Sequence, residues 1–524
     1  MLMQPPPPAS HTKSRPLVAF LFPALLVNTQ AAAAAAARAR GHSPAITKLQ
    51  RTLGQTRKER VVHTVCGMEA GLCKEKVATF TKSFKAVPHY SFAQNVATSG
   101  DLLQAYLHRL VIQETSHVFK HVLPVEGKPI TNQKNTGRCW IFSCLNALRL
   151  PFMKKFNIEE FEFSQAYLFY WDKLERCYYY LNAFVDIAKR TGEEKEPVDG
   201  RLSQFLLSNP SNDGGQWDML VNLITKYGIM PKKCFPESHS SEASRAMNNV
   251  LNHKLREFCW RLRKLVDNGS SKEELTAQVD EMIEQIYRVI NICLGTPPET
   301  FTWEFRDKEK NYHKIGPITP LEFYQEHVKP VFNVEDKVCL VNDPRPFNSY
   351  GKLYTVDFLN NMSNARQTLY INQPIEVLKK MAAASIADGE AVWFGCDVGK
   401  QFSSKLGISD PNILNRELLF GVTLKDLGKA ERLMYGESMM THAMVLTGFT
   451  DKGDDEAEYE KWRVENSWGE ESGNKGYLIL SDTWFDEYVF EVVVDRRFVP
   501  AEILKVLEQE PRVLPAWDPM GALA

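Results

Sequence analysis

Asn132-Gln133-Lys134-Asn135-Thr136-Gly137-Arg138-Cys139-Trp140-Ile141-Phe142-Ser143-Cys144 is the most informative stretch of this sequence. A polar loop containing Gly137 gives way to a largely apolar run, Trp140 to Leu150, that is expected to stop before Pro151. Cys139 then sits in the first turn of a buried helix. There, unpaired backbone N–H groups and the positive end of the helix dipole favour a thiolate, the nucleophilic form of cysteine. Gln133 lies six residues upstream, so its side-chain amide could turn back toward the same sulfur. Together with the Cys139 N–H it would offer two donors to a developing oxyanion.

Two later segments supply what a thiolate needs. Thr441-His442-Ala443-Met444 leads into apolar Val445 and Leu446, which places His442 at the start of a strand. Val464-Glu465-Asn466-Ser467-Trp468-Gly469 reads as a strand that ends in a turn. An Asn amide can bond one imidazole nitrogen and fix the ring, and Trp468 can shield that bond from water. Each residue also has an ordinary reading: a core cysteine, a structural histidine, a turn asparagine, a surface glutamine. The order Gln, Cys-Trp, His-Ala, Asn-Ser-Trp-Gly is what favours chemistry.

Taken together, these pieces resemble the papain superfamily of cysteine peptidases. Asn212-Asp213-Gly214-Gly215 resembles the segment whose backbone pairs with substrate in that family, a place where a side chain would block the peptide; an Asp-Gly turn is the plain alternative. Arg138 departs from the usual Ser or Ala, and Thr136 replaces a cysteine that forms a disulfide in lysosomal members. No helical propeptide of the usual kind precedes the domain. Cys139 and His442 are 303 residues apart, against about 130 to 150 in papain-like enzymes, so structure must be inserted.

Those departures, with Gly127-Lys128-Pro129-Ile130-Thr131, Pro231-Lys232-Lys233-Cys234-Phe235-Pro236 and Pro515-Ala516-Trp517-Asp518-Pro519-Met520, resemble the bleomycin hydrolase branch from about Gly71 to the end. The resemblance implies an α+β fold: a papain-like core over 71–524, with a helical insertion at about 240–330 and a C-terminal arm at about 505–524. It implies a cytosolic thiol aminopeptidase using Cys139, His442, Asn466 and Gln133, with Gly214, Gly215, Trp468 and Ala524 meeting substrate. The substrates would be peptides or small amides, including the amide of bleomycin, and homocysteine thiolactone. Six subunits would form a barrel with inward-facing sites. The arm would block the cleft beyond the substrate's first residue, with the Ala524 carboxylate attracting its free amine. No cofactor and no metal are expected. Two rival classes are an inactive scaffold that kept the fold and a nucleic-acid-binding barrel with a secondary peptidase role.

Composition sets outer bounds. The 524 residues are 44% hydrophobic and 24% charged, ordinary for soluble globular material. A net charge of −1 gives no support to nucleic-acid or anionic-membrane binding across the whole chain. Ten cysteines without a CxxC argue against a zinc ribbon or a dense disulfide framework, and favour a reducing compartment. Residues 1–70 differ in texture. They hold Pro5 to Pro8, seven alanines from Ala31 to Ala37, and nine Lys/Arg against two Glu, so this tail carries +7 and the remainder −8. Its apolar run, Leu17 to Val27, is short of the ~18 to 20 residues needed to cross a bilayer. The segment reads as a disordered low-complexity extension, with a signal or transit peptide as the alternative.

Helix patterns are expected over Ser271–Leu294, with a capping box at Ser271 and Glu274 and a stop at Gly295, and over Asn249–Val266. The basic cluster on the latter (Lys254, Arg256, Arg261, Arg263, Lys264) reads as a solvated face. Strands are expected at Ala391–Phe394, Lys461–Asn466, Gly476–Leu480 and Glu491–Val494. Cys144, Cys177, Cys234, Cys259, Cys293, Cys339 and Cys396 read as core residues, and His117, His121 and His253 as surface or packing residues.

Overall fold

A computed structural model describes residues 71–453 and 458–523. The readings of residues 1–70, and the role expected of Ala524, lie outside the described residues. The chain divides after Lys82, and all that follows concerns residues 83–524.

Its first part is helical. The helix Cys139–Phe156 is buried on nearly every side, which is why its sequence is apolar all round rather than striped. It does not stop before Pro151 as expected. Proline inside a helix costs roughly 3 kcal/mol, and here the next turn buries enough to offset it. Phe152 is fully buried among Phe156, Phe161, Phe163, Trp303 and Phe323, with ring centroids 4.6–5.8 Å away. Asn157, left-handed at φ 52°, ends the helix. The helix Gln165–Ala188, capped by the Ser164 side chain on the Tyr167 N–H, and the helix Trp217–Tyr227 share the same core.

The insertion packs onto this layer. Ser271 caps the helix Lys272–Leu294 reciprocally with Glu274, and Gly295 follows it at φ 84°, as the sequence pattern requires. Leu275, Val279, Met282, Ile286 and Ile290 are buried. The preceding helix, Arg245–Asp267, buries Leu251, Leu255, Phe258 and Leu262. Its basic residues are committed locally: Lys254 and Arg261 to Glu257, Arg256 to the carbonyls of Leu207 and Ser208, and Lys264 over the Trp260 ring. Beyond Leu294 the stretch 240–330 is no longer purely helical. Phe301–Arg306 and Tyr312–Ile318 form an antiparallel hairpin, in which Trp303 and Phe305 supply the face that packs on the Phe152 cluster.

Strands follow, giving the α+β arrangement. The centre of the large sheet runs Lys337–Val341, Val489–Asp495, Val392–Cys396, His442–Asp451, Tyr459–Glu465 and Tyr477–Ser481, with every neighbouring pair antiparallel. All four expected strands are present, each displaced by one or two residues at its ends. Cys144, Cys177, Cys259, Cys339 and Cys396 are buried, Cys234 and Cys293 only half-buried, and every described cysteine is free. The C-terminal arm adds Arg512–Leu514 parallel to Lys352–Val356. Asp518 then accepts Arg345 at 2.7 Å, which ties the arm to the sheet before its last turn. Among the described residues no helix is long and apolar enough to cross a membrane.

Candidate active site

Three backbone pairings bring distant segments of the chain together. His442 opens its strand opposite Cys396. At the other edge of that strand, Val445 faces Glu465, so the strand ending at Asn466 lies alongside. The loop before Cys139 then pairs with the turn after Asn466: Gln133 N–H donates to the Ser467 carbonyl at 2.8 Å and Gly469 N–H to that of Thr131 at 2.9 Å. The Cys139 helix is fastened to the same strands. Ser143 Oγ donates to the Ala443 carbonyl at 2.7 Å, and Trp393 Nε1 to the Trp140 carbonyl at 3.2 Å.

Cys139, Gln133, His442 and Asn466 are all buried. His442 Nε2 donates to Asn466 Oδ1 at 2.9 Å, which leaves Nδ1 as the basic nitrogen of the neutral ring. The same Oδ1 accepts the Ser467 N–H at 2.8 Å, so the carboxamide is fixed from two directions. Trp468 lies against the imidazole, ring centroids 4.8 Å apart. Burial pushes the Cys139 thiol up to about 11, and the nearby backbone N–H groups of Ala443, Trp140 and Cys139 itself pull the other way. Two of those donors belong to the helix start and the third adjoins His442, so sulfur and imidazole share one corner. Burial holds His442 down to about 4, opposed by its bond to Asn466.

Gln133 is clamped at both ends of its amide. Nε2 donates to the Thr136 carbonyl and Oε1 accepts Ser467 Oγ, both at 2.7 Å. One N–H is thus spent, and an amide has two.

Gly214 and Gly215 run beside the Trp140 ring. Asn212 Oδ1 accepts the Gly214 N–H, Arg176 donates to the Gly214 carbonyl at 2.8 Å, and Trp140 Nε1 donates to the Asp213 carbonyl at 2.7 Å. A Cβ on Gly215 would stand 2.7 Å from Trp140 ring carbons. Glycine there is demanded by the protein's own indole, whether or not a peptide approaches. Next in the chain, Gln216 Nε2 donates to the Ala522 carbonyl at 2.6 Å, bringing the arm beside this segment.

Two buried cations brace the site, Arg149, which the motifs leave unremarked, and Arg138, whose partner they do not reveal. Arg149, on the nucleophile helix, meets Glu465 at 2.7 Å and donates to the carbonyls of Pro129 and Phe161. It locks that helix to the strand carrying Asn466, and breaking such a pair typically costs about 3–5 kcal/mol. Arg138 is the second, fully buried against Glu237. Arginines within or beside an apolar helix are the sequence sign that could have flagged both. Among the described residues no group of three or more His, Cys, Asp or Glu could hold a metal ion.

Known proteins are similar to this chain over most of its length. A model of the Peptidase C1-like family matches residues 71–521. Bleomycin hydrolase of Gallus gallus is 68% identical over 454 residues, 87% of this chain and 99% of its own length. That of Homo sapiens is 66% identical over 455 residues, with the same shares. Aminopeptidase C of Lactobacillus delbrueckii subsp. lactis is 38% identical, covering 86% of this chain and 98% of its own. The crystal structure of PepW from Lactobacillus rhamnosis HN001 superposes with a TM-score of 0.83 at 39% identity, covering 87% and 100% of the two chains. The chain therefore belongs to the Peptidase C1-like family and is a cysteine aminopeptidase.

Proposed function

We propose that Cys139 is the nucleophile, His442 its acid–base partner, Asn466 the group that orients the imidazole, and Gln133 an oxyanion donor. The observation that carries this reading is the fastening of the Cys139 helix, through Ser143, to the carbonyl of Ala443, next to an imidazole whose far nitrogen is held by Asn466. Buried singly, thiol and imidazole each resist charging. A proton passed from sulfur to Nδ1 leaves the net charge of the corner at zero, so the penalty on each ion is offset by the other. The thiolate attacks the carbonyl after the first residue of the substrate. The oxyanion is held by the Cys139 N–H and Gln133, His442 protonates the leaving amine, and the acyl-enzyme is then hydrolysed by water that His442 activates.

Gly214, Gly215 and Trp468 would border the bound substrate. The arm beside Gln216 would close the cleft on the amino side, and the Ala524 carboxylate would receive the substrate's α-ammonium. Substrates of this kind are peptide N-termini and small amides. The bleomycin amide follows from relatives named bleomycin hydrolase at 66–68% identity, and homocysteine thiolactone is a further candidate. A cytosolic homohexamer fits the free cysteines and a set of exposed apolar residues, among them Phe92, Leu110, Leu418, Leu424 and Tyr435. A role in nucleic-acid binding gains nothing from the net charge of −1 or from the locally paired basic helix.

The test is a pair of coumarin amides of one amino acid, with the α-amine free or acetylated. The free amine should be turned over and the acetylated one left intact; equal turnover would refute recognition of the amine. Gln133→Ala should lower kcat by about 10²–10³, while alkylation of Cys139 by iodoacetamide, which forms no oxyanion, keeps its rate. An unchanged kcat would remove Gln133 from the mechanism.

A further inference from the structure

Arg138 stands directly before the nucleophile and is fully buried. Its guanidinium lies between the rings of Phe142 and Phe169, 5.1 Å from each centroid. Nη1 donates to both oxygens of Glu237, at 2.8 and 3.1 Å. Nε donates to Thr136 Oγ1 at 3.0 Å. A hydroxyl has one proton, and that of Thr136 is given to the Gln133 carbonyl at 2.7 Å. The Thr136 carbonyl in turn accepts Gln133 Nε2 at 2.7 Å. Glu237 is steadied by Ser241 Oγ, at the capped start of the short helix His239–Glu242. The loop between holds Lys134 at φ 55° and is fastened at Asn135, whose N–H donates to the Glu242 carbonyl at 3.0 Å.

Each link in this chain has a defined direction. The fixed charge of Glu237 sets the guanidinium, its Nε sets the Thr136 hydroxyl, and Thr136 grips both the main chain and the side-chain amide of Gln133. Simple burial of the Cys139 helix would need none of this. A methionine in place of Arg138 could pack between two phenylalanines, whereas a buried cation has to be held by partners. The arrangement makes sense if the position of one amide matters closely, since a misplacement of about 1 Å can cost roughly a hundredfold in rate.

We propose that Arg138, Glu237 and Thr136 are positioning residues that aim the Gln133 amide at the oxyanion, so that the segment leading into the insertion, through Glu237, tunes catalysis without touching substrate. This rests on the reading of Cys139 and Gln133 given above, and the test separates the two. In the full-length chain, kcat and KM on a free-amine coumarin amide are measured alongside the rate of Cys139 alkylation by iodoacetamide. Thr136→Val removes the hydroxyl and keeps the shape, Thr136→Ser restores the hydroxyl, and Glu237→Gln removes the fixed charge.

Thr136→Val and Glu237→Gln are expected to lower kcat by about tenfold or more, with KM and alkylation within about twofold of wild type. Thr136→Ser should recover most of the lost kcat. In a Gln133→Ala background, Thr136→Val should have no further effect, because the group it aims is gone. Unchanged kcat in both variants, or kcat and alkylation falling together, would overturn the proposal. Turnover that survives Cys139→Ala would instead overturn the reading on which it rests.

Discussion

Cys139→Ala is expected to remove turnover of free-amine aminoacyl amides by about 10⁵–10⁶, and His442→Ala to remove nearly as much. The near-equality is the informative part. A thiol without its base is rarely ionised in this buried corner, because burial holds it near 11. An imidazole without the sulfur has no nucleophile to serve. Each substitution disables the same event, so the double variant should be little worse than either single one. Asn466→Ala should cost less, about 10-fold to 10²-fold, since it frees the ring rather than deleting it. Kinetics on protein whose folding is checked by circular dichroism decide the matter. Additive losses in the double variant would mean that sulfur and imidazole act in separate steps, and turnover surviving Cys139→Ala would dismiss the nucleophile altogether.

How much of this was readable beforehand divides along a physical line. Local features declared themselves. The Ser271–Gly295 helix shows its cap, stripe and stop in order, and His442 opens its strand where the apolar run begins. The candidate chemistry was legible because Cys, His, Asn and Gln occur in short, compositionally distinctive contexts. Pairings across the chain were not. Nothing near Gln133 indicates that its main chain will pair with Ser467, 334 positions away. Pro151 misled because local propensity was set against packing that Trp303 and Phe323, far off in sequence, provide. The hairpin at 301–318 is hard to foresee because its apolar face is completed by aromatic residues of the Cys139 helix and the loop after it. Arg138 and Arg149 stood in plain view as charges in apolar company, and only their partners, Glu237 and Glu465, explain them.

Glu491→Gln is expected to stabilise the protein at neutral pH. Glu491 lies in the middle strand Val489–Asp495, between Val341 and Gly395 on the flanking strands, and is fully buried. Among the described residues no charged partner meets it. Burial pushes its carboxyl up to about 8; the Cys339 thiol on the next strand opposes that rise, and the charge of Asp218, from the helix Trp217–Tyr227, adds to it. Tyr370 belongs to the same cluster, its hydroxyl held well above the ordinary phenol range by burial and by Glu491, whereas Arg366 pairs with Asp218 at 2.7 Å and leaves Glu491 without a cation. The folded carboxyl therefore keeps a proton that the unfolded one, at its ordinary 4.5, gives up. Below pH 4.5 both states hold the proton and no stability is lost. From there to about pH 8 the unfolded state alone releases it, so stability falls by about 1.4 kcal/mol per pH unit, up to about 5 kcal/mol in all. Above pH 8 both are ionised and the slope ends. Glutamine has the same shape and nothing to ionise. In urea titrations at pH 5, 6, 7 and 8, the advantage of the variant should widen with each step and level off near 8. Curves for the two proteins that run parallel across those pH values would show that Glu491 is already ionised in the fold, with a cation beside it.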